Sequence, residues 1–96
     1  MKQYYFYILA SKKDGTLYVG VTSNLRQRLY QHREGLVDGF TKKYGVKRLV
    51  YYEAYDDVRV AIQREKNVKE WNRAWKVALI VEGNPQWDDL CEGLGF

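Results

Sequence analysis

Two short stretches near the N-terminus are rich in aromatic and β-branched residues, and turn-forming residues separate them. Residues 4–10 read YYFYILA, residues 16–21 read TLYVGV, and the segment between them ends in Asp-Gly. Aromatic and β-branched residues favour strands and Asp-Gly favours a turn, so the pattern predicts a β-hairpin. With a loop of even length, odd positions of the first strand share a face with even positions of the second. A loop longer than two residues then brings Tyr7 close to Tyr18.

Gly20 interrupts the second predicted strand. Glycine weakens a strand, and inside one it often marks a bulge or a place where another group approaches the backbone closely. Because Gly20 shares a face with Tyr7 and Tyr18, we expect it to open space beside the two rings.

Residues 22–36, TSNLRQRLYQHREGL, predict the first helix. Thr, Ser and Asn at its start are favourable N-cap residues, and Gly35 is a C-terminal stop signal. The inward-facing positions follow a helical spacing of i, i+4, i+7 and i+11: Leu25, Leu29, His32 and Leu36. His32 thus stands where another leucine would be usual, and Arg28 lies beside the same stripe. Both side chains are expected on the side of the helix that faces the sheet.

The next segments predict a short helical turn or loop at residues 37–47, a third strand at 47–55 and one or two helices at 56–83. An aspartate at the start of the helical segment is its expected N-cap. The apolar face of this segment is expected to comprise Val58, Ala61, Ile62, Val68 and Trp71. Glu65 falls on that apolar face, so its carboxylate is predicted to point inward.

The charge distribution favours an anionic partner. Sixteen basic residues stand against twelve acidic ones, for a net charge of +4, and residues 2–48 carry ten of the former but three of the latter. Clustered cations favour phosphate contacts and counterion release, although a small protein also needs net charge for solubility. The composition therefore indicates nucleic acid as one partner class without requiring it.

The length, the cysteine content and the absence of several motifs exclude some classes of protein. The length of 96 residues fits one domain, residues 1–96. The single cysteine, Cys91, is expected to be a bystander in a reducing compartment, and the apolar N-terminal stretch is too short to span a bilayer. We therefore expect a cytoplasmic protein. The sequence lacks a P-loop, HExxH, GxSxG and GxGxxG, which removes the usual signals of nucleotide hydrolysis, zinc proteolysis, serine hydrolysis and dinucleotide binding.

Three ionisable residues fall on positions that are predicted to face or border the core: Arg28, His32 and Glu65. Burying such groups costs several kcal/mol unless they are paired. One interpretation is a structural ion pair with a hydrogen-bonded histidine. The other is a site for phosphodiester cleavage, where an arginine neutralises the phosphate, a carboxylate holds a divalent cation and a tyrosine or histidine handles the proton of water. A single carboxylate suits Mg²⁺ or Mn²⁺ better than zinc.

These residues together resemble the GIY-YIG endonuclease domain, in particular its small standalone bacterial members. The first family tripeptide corresponds to residues 5–7, YFY, and the second to residues 18–20, YVG. Arg28 and His32 fall where the family carries its essential arginine and a histidine or tyrosine. Glu65 falls where it carries its metal-binding glutamate. The resemblance covers nearly the whole chain.

The resemblance implies an α+β fold, a three-stranded antiparallel β-sheet flanked by helices. It implies a metal-dependent endonuclease that cleaves DNA with one Mg²⁺ or Mn²⁺ ion, in DNA repair, recombination or processing. By analogy, Tyr7 or Tyr18 positions or deprotonates the attacking water, with His32 as the other candidate base. Arg28 would stabilise the pentavalent phosphate, and Glu65 would bind the metal.

The sequence departs from the family pattern in two ways. The first tripeptide lacks its glycine, and Val21 stands where some relatives have a lysine, so that any role of this cation is absent or falls to Lys12, Lys42 or Lys43. These three lysines are also the expected nucleic-acid contacts. The tail motif NPQW at residues 84–87 is assigned a packing role. The alternative function is a catalytically silent nucleic-acid-binding module; RNA as substrate, and a monomer or a dimer, are equally compatible.

Overall fold

The three predicted strands form one antiparallel sheet. The computed structural model describes residues 2–36 and 39–95. The strands are β1 (Tyr4–Ala10), β2 (Leu17–Thr22) and β3 (Arg48–Tyr55). Their order is β2-β1-β3, so the first strand is central and pairs with both of the others. Together with the helices, this sheet confirms the predicted α+β class.

Four helices surround the sheet: α1 (Leu25–Arg33), α2 (Phe40–Tyr44), α3 (Val58–Lys69) and α4 (Arg73–Gly83). A 3₁₀ turn, Glu92–Leu94, lies near the C-terminus. Asn24 caps α1 through its side chain, and Asp57 caps α3, as the sequence predicts. The segment 56–83 forms two helices because Asn72 caps a new one. Within the predicted turn at 37–47, α2 is helical, and residues 37 and 38 lie outside the described residues.

The central strand contributes side chains to two hydrophobic cores, one on each face of the sheet. Alternate residues of a strand point to opposite faces. On the face covered by α3 and α4, the buried residues are Phe6, Ile8, Ala10, Val19, Val50, Val68, Ile80 and Trp87. On the face covered by α1, they are Tyr7, Leu9, Leu25, Leu29, Val46, Leu49 and Cys91. Residues 6–10 are therefore fully buried, which fixes the position of β1 between two helical layers.

The register of the hairpin brings the predicted tyrosines together. Tyr7 pairs with Gly20 and Leu9 pairs with Tyr18, so odd positions of β1 share a face with even positions of β2. The ring centroids of Tyr7 and Tyr18 are 6.3 Å apart. The loop at residues 11–16, rather than a two-residue turn, produces this register. The predicted register is confirmed.

Three residues predicted to be in the core are exposed. Leu36 is 63% exposed, because α1 ends at Arg33 and Gly35, with a φ of 69°, redirects the chain before Leu36 can continue the stripe. Val58 and Ile62 are 38% and 37% exposed. The buried stripe of α3 is narrow and contains Ala61, Glu65 and Val68, so residues at its margin extend beyond the sheet. The inward assignment was wrong for these three side chains.

The C-terminal tail packs against the sheet. Trp87 is 1% exposed, and the amide nitrogen of Asn84 donates to the carbonyl oxygens of Val50 and Asp88. This arrangement confirms the packing role predicted for residues 84–87. Cys91 is buried as well, and burial with the nearby Asp89 carboxylate raises the pKa of its thiol to about 12, which makes it unsuited to act as a nucleophile. In the described part of the chain, no helix combines the length and apolarity needed to cross a membrane.

Candidate functional site

Three aromatic rings from three different elements meet on the α1 face of the sheet. Tyr7 is on β1, Tyr18 is on β2 and His32 is in the last turn of α1. The His32 ring centroid lies 6.1 Å from that of Tyr7 and 5.4 Å from that of Tyr18. Tyr7 is fully buried and His32 is 2% exposed, whereas Tyr18 is only half-buried. Of the three rings, Tyr18 is therefore the one that borders the solvent.

His32 has a hydrogen-bond partner at each ring nitrogen. Its Nε2 lies 3.3 Å from the hydroxyl of Tyr7, and its Nδ1 lies 3.1 Å from the hydroxyl of Thr41 on α2. In either tautomer of a neutral imidazole, one nitrogen donates and the other accepts, so both contacts are satisfied. Thr41 is itself 3% exposed. This threonine orients the histidine, a role that no pattern in the sequence indicates.

Burial sets the protonation of the Tyr7–His32 pair. Desolvation raises the pKa of Tyr7 to about 12, against a smaller lowering by the Arg28 guanidinium. Desolvation, with a further contribution from the positive charge of Arg28, lowers the pKa of His32 to about 4. At neutral pH the pair therefore consists of a phenol and an uncharged imidazole. Tyr7 is a poor candidate for a free phenolate base.

Arg28 connects the two phenols. Its Nη1 donates to Oε1 of Gln31 at 3.3 Å, and the rest of the half-buried guanidinium faces the site. Its interaction with the Tyr7 hydroxyl, followed by smaller ones with Tyr18, raises the pKa of Arg28. The arginine is thus a permanently charged, planar set of donors beside both tyrosines. That geometry suits the oxygens of a phosphate.

Glu65 approaches the tyrosines from α3, which packs against β1 and β2. It is 9% exposed, and the negative charge of its carboxylate contributes to the raised pKa of Tyr7. Lys69, one helical turn later, places its Nζ 2.9 Å from Oε2 of Glu65. This hydrogen bond raises the pKa of Lys69, and the Tyr18 phenol contributes to the same shift. The carboxylate is therefore mostly buried, forms an ion pair with Lys69 and lies near enough to Tyr7 for its charge to act there.

Of the five predicted catalytic and metal-binding residues, four contact one another: Tyr7, Tyr18, Arg28 and His32. The fifth, Glu65, acts on Tyr7 through its charge. The cation beside the carboxylate is Lys69, which sequence reasoning missed although the i, i+4 spacing from Glu65 is a recognisable signal. Lys12 lies exposed in the hairpin loop, and Lys42 and Lys43 lie exposed on α2. Their contact with nucleic acid stays a prediction.

Gly20 provides the space that the rings occupy, as predicted. A β-carbon at this position would lie 2.6 Å from both Cζ and Oη of Tyr7, and 3.0 Å from Cε2 of Tyr18. Contacts this short require a shift of the neighbouring atoms. Tyr7 is a rigid, fully buried ring, so it cannot move without disturbing its hydrogen bond to His32. Glycine at position 20 is therefore part of the site's geometry.

Replacing Gly20 by alanine is expected to destabilise the fold by about 1–3 kcal/mol, the usual cost of overpacking a core. The same substitution should lower any activity of the site, because it displaces the Tyr7 ring. Urea denaturation measures the first effect. Gly93→Ala is the matched control, since a β-carbon there meets no atom within 4 Å. Equal stability of the two variants would contradict the steric role of Gly20.

The donor set at the site fits one largely hydrated metal ion. Among residues 2–36 and 39–95, no group of three or more His, Cys, Asp or Glu side chains is arranged to hold a metal. Zinc sites need several nitrogen or sulfur ligands, whereas Mg²⁺ retains several waters and binds through one or two carboxylates. Glu65 can supply one carboxylate, and its 12% side-chain exposure leaves access for water. The residues present therefore suit Mg²⁺ or Mn²⁺ and not zinc.

A second ion-paired carboxylate, Glu53, lies on the face of the sheet opposite Tyr7. Both oxygens of Glu53 accept hydrogen bonds from Arg64 at 3.0 Å, and each also accepts one from a tyrosine hydroxyl, of Tyr51 or Tyr55. The Arg64 guanidinium in turn lies over the rings of Phe6 and Trp71. Because these interactions occupy both Glu53 oxygens, the cluster ties β3 to α3 and offers no obvious ligand site. In Glu65, by contrast, the ion pair with Lys69 is made through Oε2.

Comparison with known proteins matches most of the chain. The GIY-YIG catalytic domain matches residues 3–89. A UPF0213 protein of Staphylococcus saprophyticus is 36% identical over 83 residues, covering 86% of this chain and 100% of that protein. A UPF0213 protein of Clostridium perfringens is 40% identical over 76 residues, covering 79% of this chain and 81% of that protein. The solution NMR structure of UPF0213 protein BH0048 from Bacillus halodurans has a TM-score of 0.57 at 30% identity and covers 91% of this chain and 92% of its own.

Proposed function

Because the chain belongs to the GIY-YIG family of catalytic domains, we propose that it is a divalent-metal-dependent endonuclease that hydrolyses DNA phosphodiester bonds. The family assignment gives nuclease chemistry and a nucleic-acid substrate in general. The observation that supports the specific proposal is the convergence of an arginine, two phenols and an imidazole beside Gly20, with the Glu65 carboxylate near enough for its charge to act on Tyr7. DNA repair, recombination or processing is the corresponding cellular role.

Arg28 and Glu65 would handle the charge of the reaction. We assign to Arg28 the non-bridging oxygens of the scissile phosphate, whose negative charge increases in the transition state. We assign to Glu65 the binding of one Mg²⁺ or Mn²⁺ ion, which when bound supplies Lewis-acid stabilisation of the phosphate and leaving-group oxygens. Lys69, paired with Glu65, holds the carboxylate in place in the free protein.

Tyr18 is the group that we assign to the attacking water. Of the three aromatic candidates it alone borders the solvent, and both Arg28 and Lys69 interact with its phenol. The water oxygen forms a bond to phosphorus and loses one proton to the solvent. The bond from phosphorus to the leaving sugar oxygen breaks, and that oxygen takes up one proton from the solvent. Behind Tyr18, Tyr7 and the uncharged His32 form a buried pair that fixes the geometry.

The experiment that tests this function incubates the purified protein with duplex, flapped, branched and single-stranded DNA, in Mn²⁺, Mg²⁺ or EDTA. We expect cleavage of at least one substrate, dependent on the metal and abolished by EDTA. A Glu65→Ala preparation purified in parallel distinguishes this activity from a contaminating nuclease. Equal cleavage by both preparations, or cleavage in EDTA, would refute the proposal.

One observation favours a second function, a catalytically silent nucleic-acid-binding module. Lys69 neutralises Glu65, so the acid as it stands does not repel a phosphate strongly. In such a module Arg28 would hold phosphates and the tyrosines would contact bases. Tight DNA binding by the wild-type protein without cleavage in any metal would support this alternative.

A further inference from the structure

Two large aromatic side chains are exposed together on α2. Phe40 is 45% exposed and Tyr44 is 48% exposed, although both residue types usually bury most of their surface. They lie four residues apart on one side of the helix, with ring centroids 4.9 Å apart. The Nζ atom of Lys43 lies 5.4 Å from the centroid of the Tyr44 ring. We refer to Phe40 and Tyr44 as the α2 aromatic pair.

The α2 aromatic pair is joined directly to the candidate site. Thr41 lies between the two residues in sequence, and its hydroxyl is within 3.1 Å of His32 Nδ1. Because an α-helix makes a turn every 3.6 residues, both rings lie within one turn of this contact. The pair is therefore on the helix that contacts the histidine of the candidate site.

The surroundings of the α2 aromatic pair match a polyanion. Lys42 and Lys43 are exposed on the same helix, and Lys47 is exposed just after it. Aromatic faces next to lysines form the combination with which proteins bind single-stranded nucleic acid, since bases stack on the rings and phosphates contact the cations. Bases within a duplex already stack on their neighbours, so exposed rings favour unpaired bases.

We propose that Phe40 and Tyr44 form a stacking surface for an unpaired base beside the scissile phosphate. The inference deepens the proposed function, on which it rests, by naming the substrate class: DNA with a single-stranded segment at or next to the cleavage point, such as a flap or a branch. The α2 aromatic pair stacks the unpaired base, and the α2 lysines hold the adjacent phosphates.

The test measures binding without cleavage. A flapped DNA and a fully paired duplex of the same length, each labelled with fluorescein, are titrated with protein in EDTA and followed by fluorescence anisotropy. A 2-aminopurine base in the flap reports stacking through quenching of its fluorescence. The Phe40→Ala/Tyr44→Ala variant is expected to bind the flapped DNA about tenfold or more weakly and to lose the quenching. Its affinity for the duplex should stay within about twofold, since that binding depends on phosphate contacts.

Matched variants separate stacking from general damage. Tyr30→Ala removes another exposed tyrosine, 59% exposed on α1, and is expected to bind both DNAs like the wild type. Phe40→Trp/Tyr44→Phe keeps two aromatic faces and should restore both the affinity and the quenching. Circular dichroism and the thermal unfolding midpoint verify that each variant is folded.

Several results would overturn the inference. One is unchanged affinity of the double alanine variant for the flapped DNA, and another is an equal loss of affinity for the flapped DNA and the duplex. A third is a wild-type protein that is dimeric while the double alanine variant is monomeric, which would make α2 a self-association surface. Because the titration contains EDTA, it does not depend on catalysis. Selective loss of flap binding in a protein that cleaves nothing would retain the stacking surface and refute the nuclease. If the wild type cleaves DNA and the variant binds the flapped DNA as tightly as the wild type, the nuclease function is retained and the stacking surface is refuted.

Discussion

Replacing Glu65 by glutamine is expected to lower kcat for DNA cleavage by about 10²- to 10⁴-fold, since a metal ion contributes several kcal/mol of transition-state stabilisation and each 1.36 kcal/mol is tenfold in rate. Glutamine keeps the size of the side chain but removes the charge that would hold the cation. Lys69 loses its partner without becoming buried, because it is 52% exposed, so the fold should be retained. Single-turnover cleavage at saturating Mn²⁺ measures the change, and isothermal titration with Mn²⁺ should show that the metal affinity falls with it.

Glu53→Gln is the matched control for this substitution. Glu53 is also a partly buried, ion-paired glutamate, but it lies on the opposite face of the sheet and bonds to Arg64, Tyr51 and Tyr55. This substitution should lower the free energy of unfolding and leave kcat of the folded protein nearly unchanged. If Glu65→Gln cleaves DNA as fast as the wild type, Glu65 does not bind the metal of the reaction.

Replacing Arg28 by lysine is expected to lower kcat by about 10²- to 10³-fold, the usual cost of removing one donor that stabilises a developing negative charge. Lysine keeps a positive charge but loses the planar guanidinium that can contact a phosphate oxygen and the phenols at the same time. Affinity for DNA in EDTA should fall far less than kcat, because overall charge is preserved. Cleavage kinetics with substrate in excess separate kcat from KM.

Arg33→Lys controls for arginine substitution on the same helix. Arg33 forms an ion pair with Asp89 at 2.8 Å, is 38% exposed and takes no part in the aromatic cluster. Since exposed ion pairs contribute about 0–1 kcal/mol, this variant should fold and cleave DNA nearly as the wild type does. A loss as large as that of Arg28→Lys would indicate that arginine on α1 acts through structure and not through the phosphate.

Much of the site could be predicted because it lies on regular elements. The alternation of side chains along the hairpin predicts that Tyr7, Tyr18 and Gly20 share one face of the sheet, and the structure confirms this. The helical period placed His32 inward on α1 and Glu65 inward on α3. In each case the period of the element fixes the direction of a side chain once the apolar face is known.

Two residues of the site, Thr41 and Lys69, could not be predicted from the periodicity of the sequence. Thr41 lies on a helix of five residues that follows Gly39 and precedes Gly45, too short for an apolar stripe to identify its inner side. Lys69 is a lysine in a helix with many charged residues, and only its contact with Glu65 distinguishes it. The helical period also does not predict side-chain direction beyond the end of a helix. Leu36 is exposed because it lies after the last turn of α1, where the loop sets the direction of its side chain.

The burial of β1 between two helical layers links the site to the global stability of the fold. Residues 6–10 are hydrogen-bonded on both edges and covered on both faces. We expect their amides to exchange with solvent only when the whole domain opens. Tyr7 is on this strand. Local fluctuations in the hairpin loop or the C-terminal tail should therefore leave the position of Tyr7 unchanged. The buried Tyr7–His32 pair is expected to be lost only when the whole domain unfolds cooperatively.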